Sequence, residues 1–141
     1  MTEREHAVFR VLMIGIMVSM MDADGSADSL ELDAITAIYG ELAGGPIPPA
    51  VLKEGIELAR MAGAESAVEL ARNFNSRLDQ LSRELVFRSA LYISAADRVL
   101  SQEEMDLLAK VGMSLGLDEE HMGAILKSAQ NDGRITLGDW T

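Results

Sequence analysis

The chain contains no cysteine, which excludes disulfides, thiol nucleophiles, thiolate-bound zinc and iron–sulfur clusters. Aromatic residues are scarce, at 4% of 141 positions. The bulk of a core must then come from Leu, Ile, Val, Ala and Met, and such a diet with few β-branched runs favours helices over a sandwich. Positive charge is also short: 12 Lys and Arg stand against 23 Asp and Glu, for a net charge of −11. A surface of that sign repels phosphate, so direct nucleic-acid binding is not expected, and cations and basic partners are favoured. Long hydrophobic runs are missing too. The strongest, residues 11–18 with a weak extension to Met21, covers eight to eleven residues, well short of the roughly 20 that cross a bilayer. The opening MTEREHAVFR is not a basic leader, no small-residue cleavage site follows, and no lipidation signal is visible. A buried helix is expected there, in a protein that does not span a membrane.

What is present is ordinary globular material. Hydrophobic residues make up 48% and charged residues 25%, which excludes disorder as the main state. A length of 141 residues suits one domain, residues 1–141, and suffices to bury about 68–70% of the unfolded surface. The apolar spacing predicts about seven helices. They run over about residues 3–21, from 29 to a stop at Gly44-Gly45, over 49–61 after the stretch GPIPP, over 65–74 and 82–96, from just after Ser101 to about 116, and from Asp118 to about 130. The first is apolar almost all round in its second half, as a central helix should be. No window alternates apolar and polar residues long enough for a strand, and the tail 131–141 has no helical period. The fold class is therefore all-α.

An internal repeat runs through this pattern. With Ala23-Asp24 set over Ala96-Asp97, Glu31 falls on Glu104, Asp33 on Asp106, Ile35 on Leu108, Ile38 on Val111 and Leu42 on Leu115. Each unit reads as an apolar helix, an acidic loop, an amphipathic helix and a short closing helix. The expectation is one bundle of two pseudo-symmetric repeats, about 4–63 and 64–130, followed by an irregular tail 131–141.

The acidic loops carry two readings. Asp28-Ser29-Leu30-Glu31 and Ser101-Gln102-Glu103-Glu104 both fit a capping box, in which the first side chain accepts from an orphan helix amide and the Glu reaches back. Alternatively, Asp22, Asp24, Asp28, Glu31 and Asp33 place five carboxylates in twelve residues with no base among them, and a hard cation wants several oxygens from one flexible loop. With Gly25 at the turn, Asp22, Asp24, Asp28 and Glu31 match four ligand positions of an EF-hand loop. Met20 stands at its first position and Ala27 where a branched apolar residue belongs, so a true EF-hand is rejected and a partial oxygen site is kept. The second loop offers Asp97 and Glu104, with Arg98 where Gly25 stands. The expected metal-ligating residues are thus Asp22, Asp24, Asp28, Glu31, Asp97 and Glu104. The cation is calcium, magnesium or zinc, with no cofactor required.

Other candidates are weaker. Glu3…His6 and Asp118…His121 put carboxylate and imidazole on one helix face, as di-iron bundles do, but without inward partner carboxylates. Met13, Met17, Met20 and Met21 form a helical stripe that suits copper(I) or plain core packing, and packing is the expectation. No nucleophile elbow, phosphate loop or zinc-protease helix occurs, so no catalytic residue is expected.

At the two loops the chain resembles the TerB-like tellurite-resistance family. Its signature is an apolar helix ending in Ala-Asp-Gly, a loop with a Ser-type cap, then Glu opening an amphipathic helix. Ala23-Asp24-Gly25 to Glu31 and Ala96-Asp97 to Glu104 carry it, over about residues 4–130. The resemblance implies an all-α two-repeat fold with no enzymatic activity. It implies a cytoplasmic protein of tellurite and general stress resistance, acting through protein partners near the inner face of the membrane. It also brings the suggestion of an acidic metal-binding surface, whose symmetry Arg98 puts in question. Two function classes stay open beside each other: an interaction module responsive to a cation, and an acidic scaffold whose carboxylates only cap helices. A carboxylate-bridged metal oxidoreductase is the outsider.

Overall fold

Helix α1 (Glu3–Asp22) takes the centre of the molecule. From Leu12 to Met17 every residue is buried, and Ser19 and Met20 follow. A helix apolar on all sides can shed water only by being surrounded, and α1 touches α2 (Ser29–Ala43), α3 (Pro49–Ala62), α4 (Ser66–Phe74) and α5 (Gln80–Ser94). The methionine stripe is core filling: Met13, Met17 and Met20 are buried and Met21 packs partly against them. The Ser19 hydroxyl, buried on this helix, donates to Gly15 O at 2.8 Å and so leaves no unmet donor. A computed structural model supplies this architecture and describes residues 3–22, 29–62, 66–96 and 100–135, without the side chains of residues 22, 29–31, 62 and 66.

Local chemistry sets the helix ends. Gly44 ends α2 in the left-handed region at φ 85°, its amide bonded to Gly40 O at 3.1 Å. Pro49 opens α3, where a missing amide costs nothing. Helix α6 (Gln102–Ser114) begins with the expected capping box: Glu104 N donates to Ser101 Oγ, and Ser101 N to Glu104 Oε1, both at 3.1 Å. Such a cap contributes about 0.5–2 kcal/mol. Helix α7 (Glu119–Asn131) is capped by Asp118, as expected. Among the described residues the chain forms these seven α-helices, one 3₁₀ turn at Asn75–Arg77 and no strand, Leu100 alone holding an isolated bridge position.

The start of one helix differs from expectation. Helix α5 starts at Gln80, not at Ser82, because Asp79 is its cap and accepts from Ser82 N at 2.8 Å. Ser82 resembles a cap in sequence but sits in the third helical position, fully buried. The repeat register agrees with burial. Ile35 and Leu108 are 1% and 0% exposed, Ile38 and Val111 are buried, and Leu115 is buried where Leu42 is half-buried. Three helices, α1–α3 and α5–α7, lie on either side of α4 in the chain.

Candidate functional site

The acidic segment is bracketed by two helix ends. Asp22 closes α1 and Glu31 lies in the first turn of α2, with six residues between the helices. Asp24, Asp28 and Asp97 fall outside the described residues, as do the side chains of Asp22 and Glu31. Asp33 is exposed on α2. Of the six expected ligands, Glu104 alone has a described side chain, and one of its oxygens is engaged in the capping box. Among the described residues no group of three or more His, Asp or Glu side chains converges as a metal centre would require.

The carboxylate–histidine pair on α7 turns out to be a cap. Asp118 Oδ1 accepts from His121 N at 2.7 Å and lies 2.9 Å from His121 Nδ1. The bond from the His121 amide, then that from its ring, holds the Asp118 carboxyl below its ordinary value. The same contact to Asp118 raises the His121 imidazole above its own. The sign follows for each group. The depressed Asp118 contributes stability above the ordinary 3.8 and loses it as pH falls through its folded value. The raised His121 contributes below the ordinary 6.5 and loses it as pH rises through its folded value. The pair is therefore complete in the interval between 3.8 and 6.5. Both side chains are exposed, so the effect on stability is small. The His121 ring is expected to titrate at higher pH in the parent than in Asp118→Asn, read by NMR; equal midpoints would mean that the pair does not form.

The N-terminal pair does not build a site either. Glu3 and His6 line a shallow exposed recess with Arg10 and Val51. A groove of about 720 Å³ lies where the first turns of α1 meet the 3₁₀ turn and the start of α5. It is balanced in charge, Arg4 and Arg77 against Glu5 and Asp79. Two of these four groups are engaged within the fold: Asp79 caps α5, and Arg77 lies over the Phe74 ring at 5.4 Å. A smaller apolar cleft of about 160 Å³ opens between α6 and α7.

One contact had no signal in the sequence. After α7 the chain turns through Gly133 at φ 73° and seats Ile135 in the core, 5% exposed. Arg134 then pairs with Glu41 of α2 and stacks 4.1 Å over the Tyr92 ring of α5. Arg88 donates to the Tyr92 hydroxyl at 3.3 Å. The Arg134–Glu41 pair joins residues 93 apart in the chain, a distance over which no periodicity reads.

No helix among the described residues is long and apolar enough to cross a membrane. Compared with known proteins, the chain matches a family model described as tellurite resistance protein TerB, over residues 10–127. No curated protein and no solved structure matches it.

Proposed function

Because this chain belongs to the TerB tellurite-resistance family, whose model spans residues 10–127, we propose that it is a non-enzymatic stress-response module that binds protein partners and responds to a divalent cation. It works in the cytoplasm, near the inner face of the membrane, without touching nucleic acid. Its frame is one domain of two related helical halves. The acidic segment of the first half, Asp22 to Glu31, holds the cation.

The observation that supports this reading is an excess of carboxylates over caps. In the second half one Ser and one Glu, Ser101 and Glu104, complete the box. A like box in the first half uses Asp28 and Glu31 and leaves Asp22, Asp24 and Asp33 over. Clustered like charges repel, so an ion that neutralises them stabilises the folded state by mass action. The second half also leaves three over, Asp97, Glu103 and Asp106, but there Arg98 adds a positive charge beside Asp97, whereas no base stands among the acids of the first half. The competing reading, a scaffold whose acids only cap, draws on Asp79, Glu104 and Asp118, each of which caps a helix.

A calcium titration by calorimetry separates the two. Lacking a ligand at the first loop position, the parent is expected to bind no tighter than about 10⁻⁴ M, as weak calcium modules do. The heat should vanish in Asp24→Asn with Asp28→Asn and persist in Asp97→Asn. Equal loss in both variants would mean one site shared between the halves. No heat in the parent would return the carboxylates to capping.

A further inference from the structure

We propose that the cleft between α6 and α7 is the docking site for a basic amphipathic helix of a partner protein; this rests on the reading of the domain as a protein-binding module and names the surface it uses. The cleft reaches the core: Phe87 of α5 and Leu108 of α6, 1% and 0% exposed, form its floor. Half-buried Met105 and Leu126 and buried Met122 wall it. Its volume of about 160 Å³ falls below the roughly 300–1,000 Å³ of small-molecule sites, so it suits the apolar anchor of a peptide rather than a metabolite. Methionine walls adapt to the shape of an incoming side chain. Met113, one turn beyond the cleft residue Ala109 and 66% exposed, extends the apolar stripe along α6.

Gly123 is the independent sign of an occupant. It lies inside α7 on the cleft, exposed, and a Cβ placed there meets nothing within 4 Å. Glycine is the poorest helix former after proline, so an unneeded one works against its own helix. Gly55 and Gly112 are needed, since a Cβ at either collides with a neighbouring side chain. Among the described residues nothing requires Gly123. What its bare backbone does is hold the cleft open and let another backbone approach closely. Ala109, small and exposed, does the same from α6.

Charge selects the kind of helix. Glu119 lines the cleft, and Glu103, Asp106 and Glu120 stand exposed on the same two helices, where Lys110 and Lys127 are the only Lys or Arg. An apolar notch whose one charged lining residue is Glu119, in a chain of net charge −11, is complementary to a helix with an apolar stripe between Lys and Arg, the helix-in-groove mode of recognition.

The test uses a labelled peptide of about 18 residues, five helical turns, with Leu at i, i+3, i+4 and i+7 and Lys elsewhere. A scramble of the same composition and a Glu-for-Lys version serve as controls. Fluorescence anisotropy is read at about 0.15 M salt, where diffuse attraction is screened. The patterned Lys peptide is expected to bind tightest. Gly123→Leu, which fills the cleft, should weaken it by about tenfold or more while its melting temperature stays at or above that of the parent. Gly123→Ala should raise the melting temperature and weaken the peptide by less. Equal binding of patterned and scrambled peptides, or unchanged binding in Gly123→Leu, would overturn the proposal. So would a parent that sediments as a dimer and a Gly123→Leu variant that sediments as a monomer, since the occupant would then be a second copy. Peptide binding without calcium heat would remove the cation response alone; calcium heat with no peptide binding would remove the cleft alone.

Discussion

Leu108→Ala is expected to destabilise the protein by about 2–5 kcal/mol, and Ile35→Ala by a similar amount. The two residues align when the two acidic loops are set over each other in the sequence, and both are sealed from water, at 0% and 1% exposure. Leu108 turns inward from α6, which packs against α4 and α5; Ile35 turns inward from α2, which packs against α1 and α5. Removing three carbons forfeits their transfer free energy, and the helices close only partly around the space left, so a cavity term adds. Domains of this kind hold about 5–15 kcal/mol in total, so either change consumes a large share. Leu32→Ala, on α2 but 42% exposed, is the control and should stay close to the parent. Urea melts should show the midpoint falling sharply for the two buried leucine-type positions with an unchanged slope. A midpoint for Leu108→Ala no lower than for Leu32→Ala would mean that the inward face of α6 is wrongly assigned.

Gly55→Ala is expected to destabilise by about 1–3 kcal/mol, against the propensity of its helix. In α3 an alanine should gain about 1 kcal/mol over glycine. Here its Cβ would sit 2.5 Å from Ile14 Cβ, closer still to Ile14 Cγ2, and 3.2 Å from Val11 O. None of these can yield cheaply. Ile14 is β-branched and stiff at χ1, and Val11 O belongs to the backbone of α1. The two helices must therefore move apart, which loosens the packing of α3 on the central helix. Gly40→Ala, inside α2, meets only Gly45 O at an ordinary 3.7 Å and should stabilise by about 0.5–1 kcal/mol. Calorimetric melting temperatures moving in opposite directions are the expected result. A stabilised Gly55→Ala would mean that α1 and α3 do not approach as described.

Much of this fold could be read along the chain because its causes are local. The stop at Gly44, the start at Pro49, the box at Ser101 and Glu104 and the cap at Asp118 each involve residues within one turn of the helix end they set. Where two local signals compete, reading fails: Asp79 and Ser82 both suit a cap, and only the backbone path shows which amide is orphaned. The acidic segment was legible as a concentration of like charge, and that alone does not distinguish ligands from caps, since both roles use the same side chains at the same spacing. The expected His121 pairing was visible as a spacing, but its role as a cap depends on which backbone amide Asp118 meets.

The sequence by itself determined an all-α bundle around its first helix, because 11–18 has no polar face to give to water. It also carried the family, through two loops whose residues stand in register. The tertiary structure decided what no local pattern holds. It drew Arg134 across 93 residues to Glu41, and it opened the cleft between α6 and α7. It also separated glycines that look alike in sequence. Gly55 and Gly123 both interrupt good helices, yet one is pressed against Ile14 and the other faces open space. A glycine's role depends on what lies beyond its missing Cβ, and those neighbours come from elements distant in the chain.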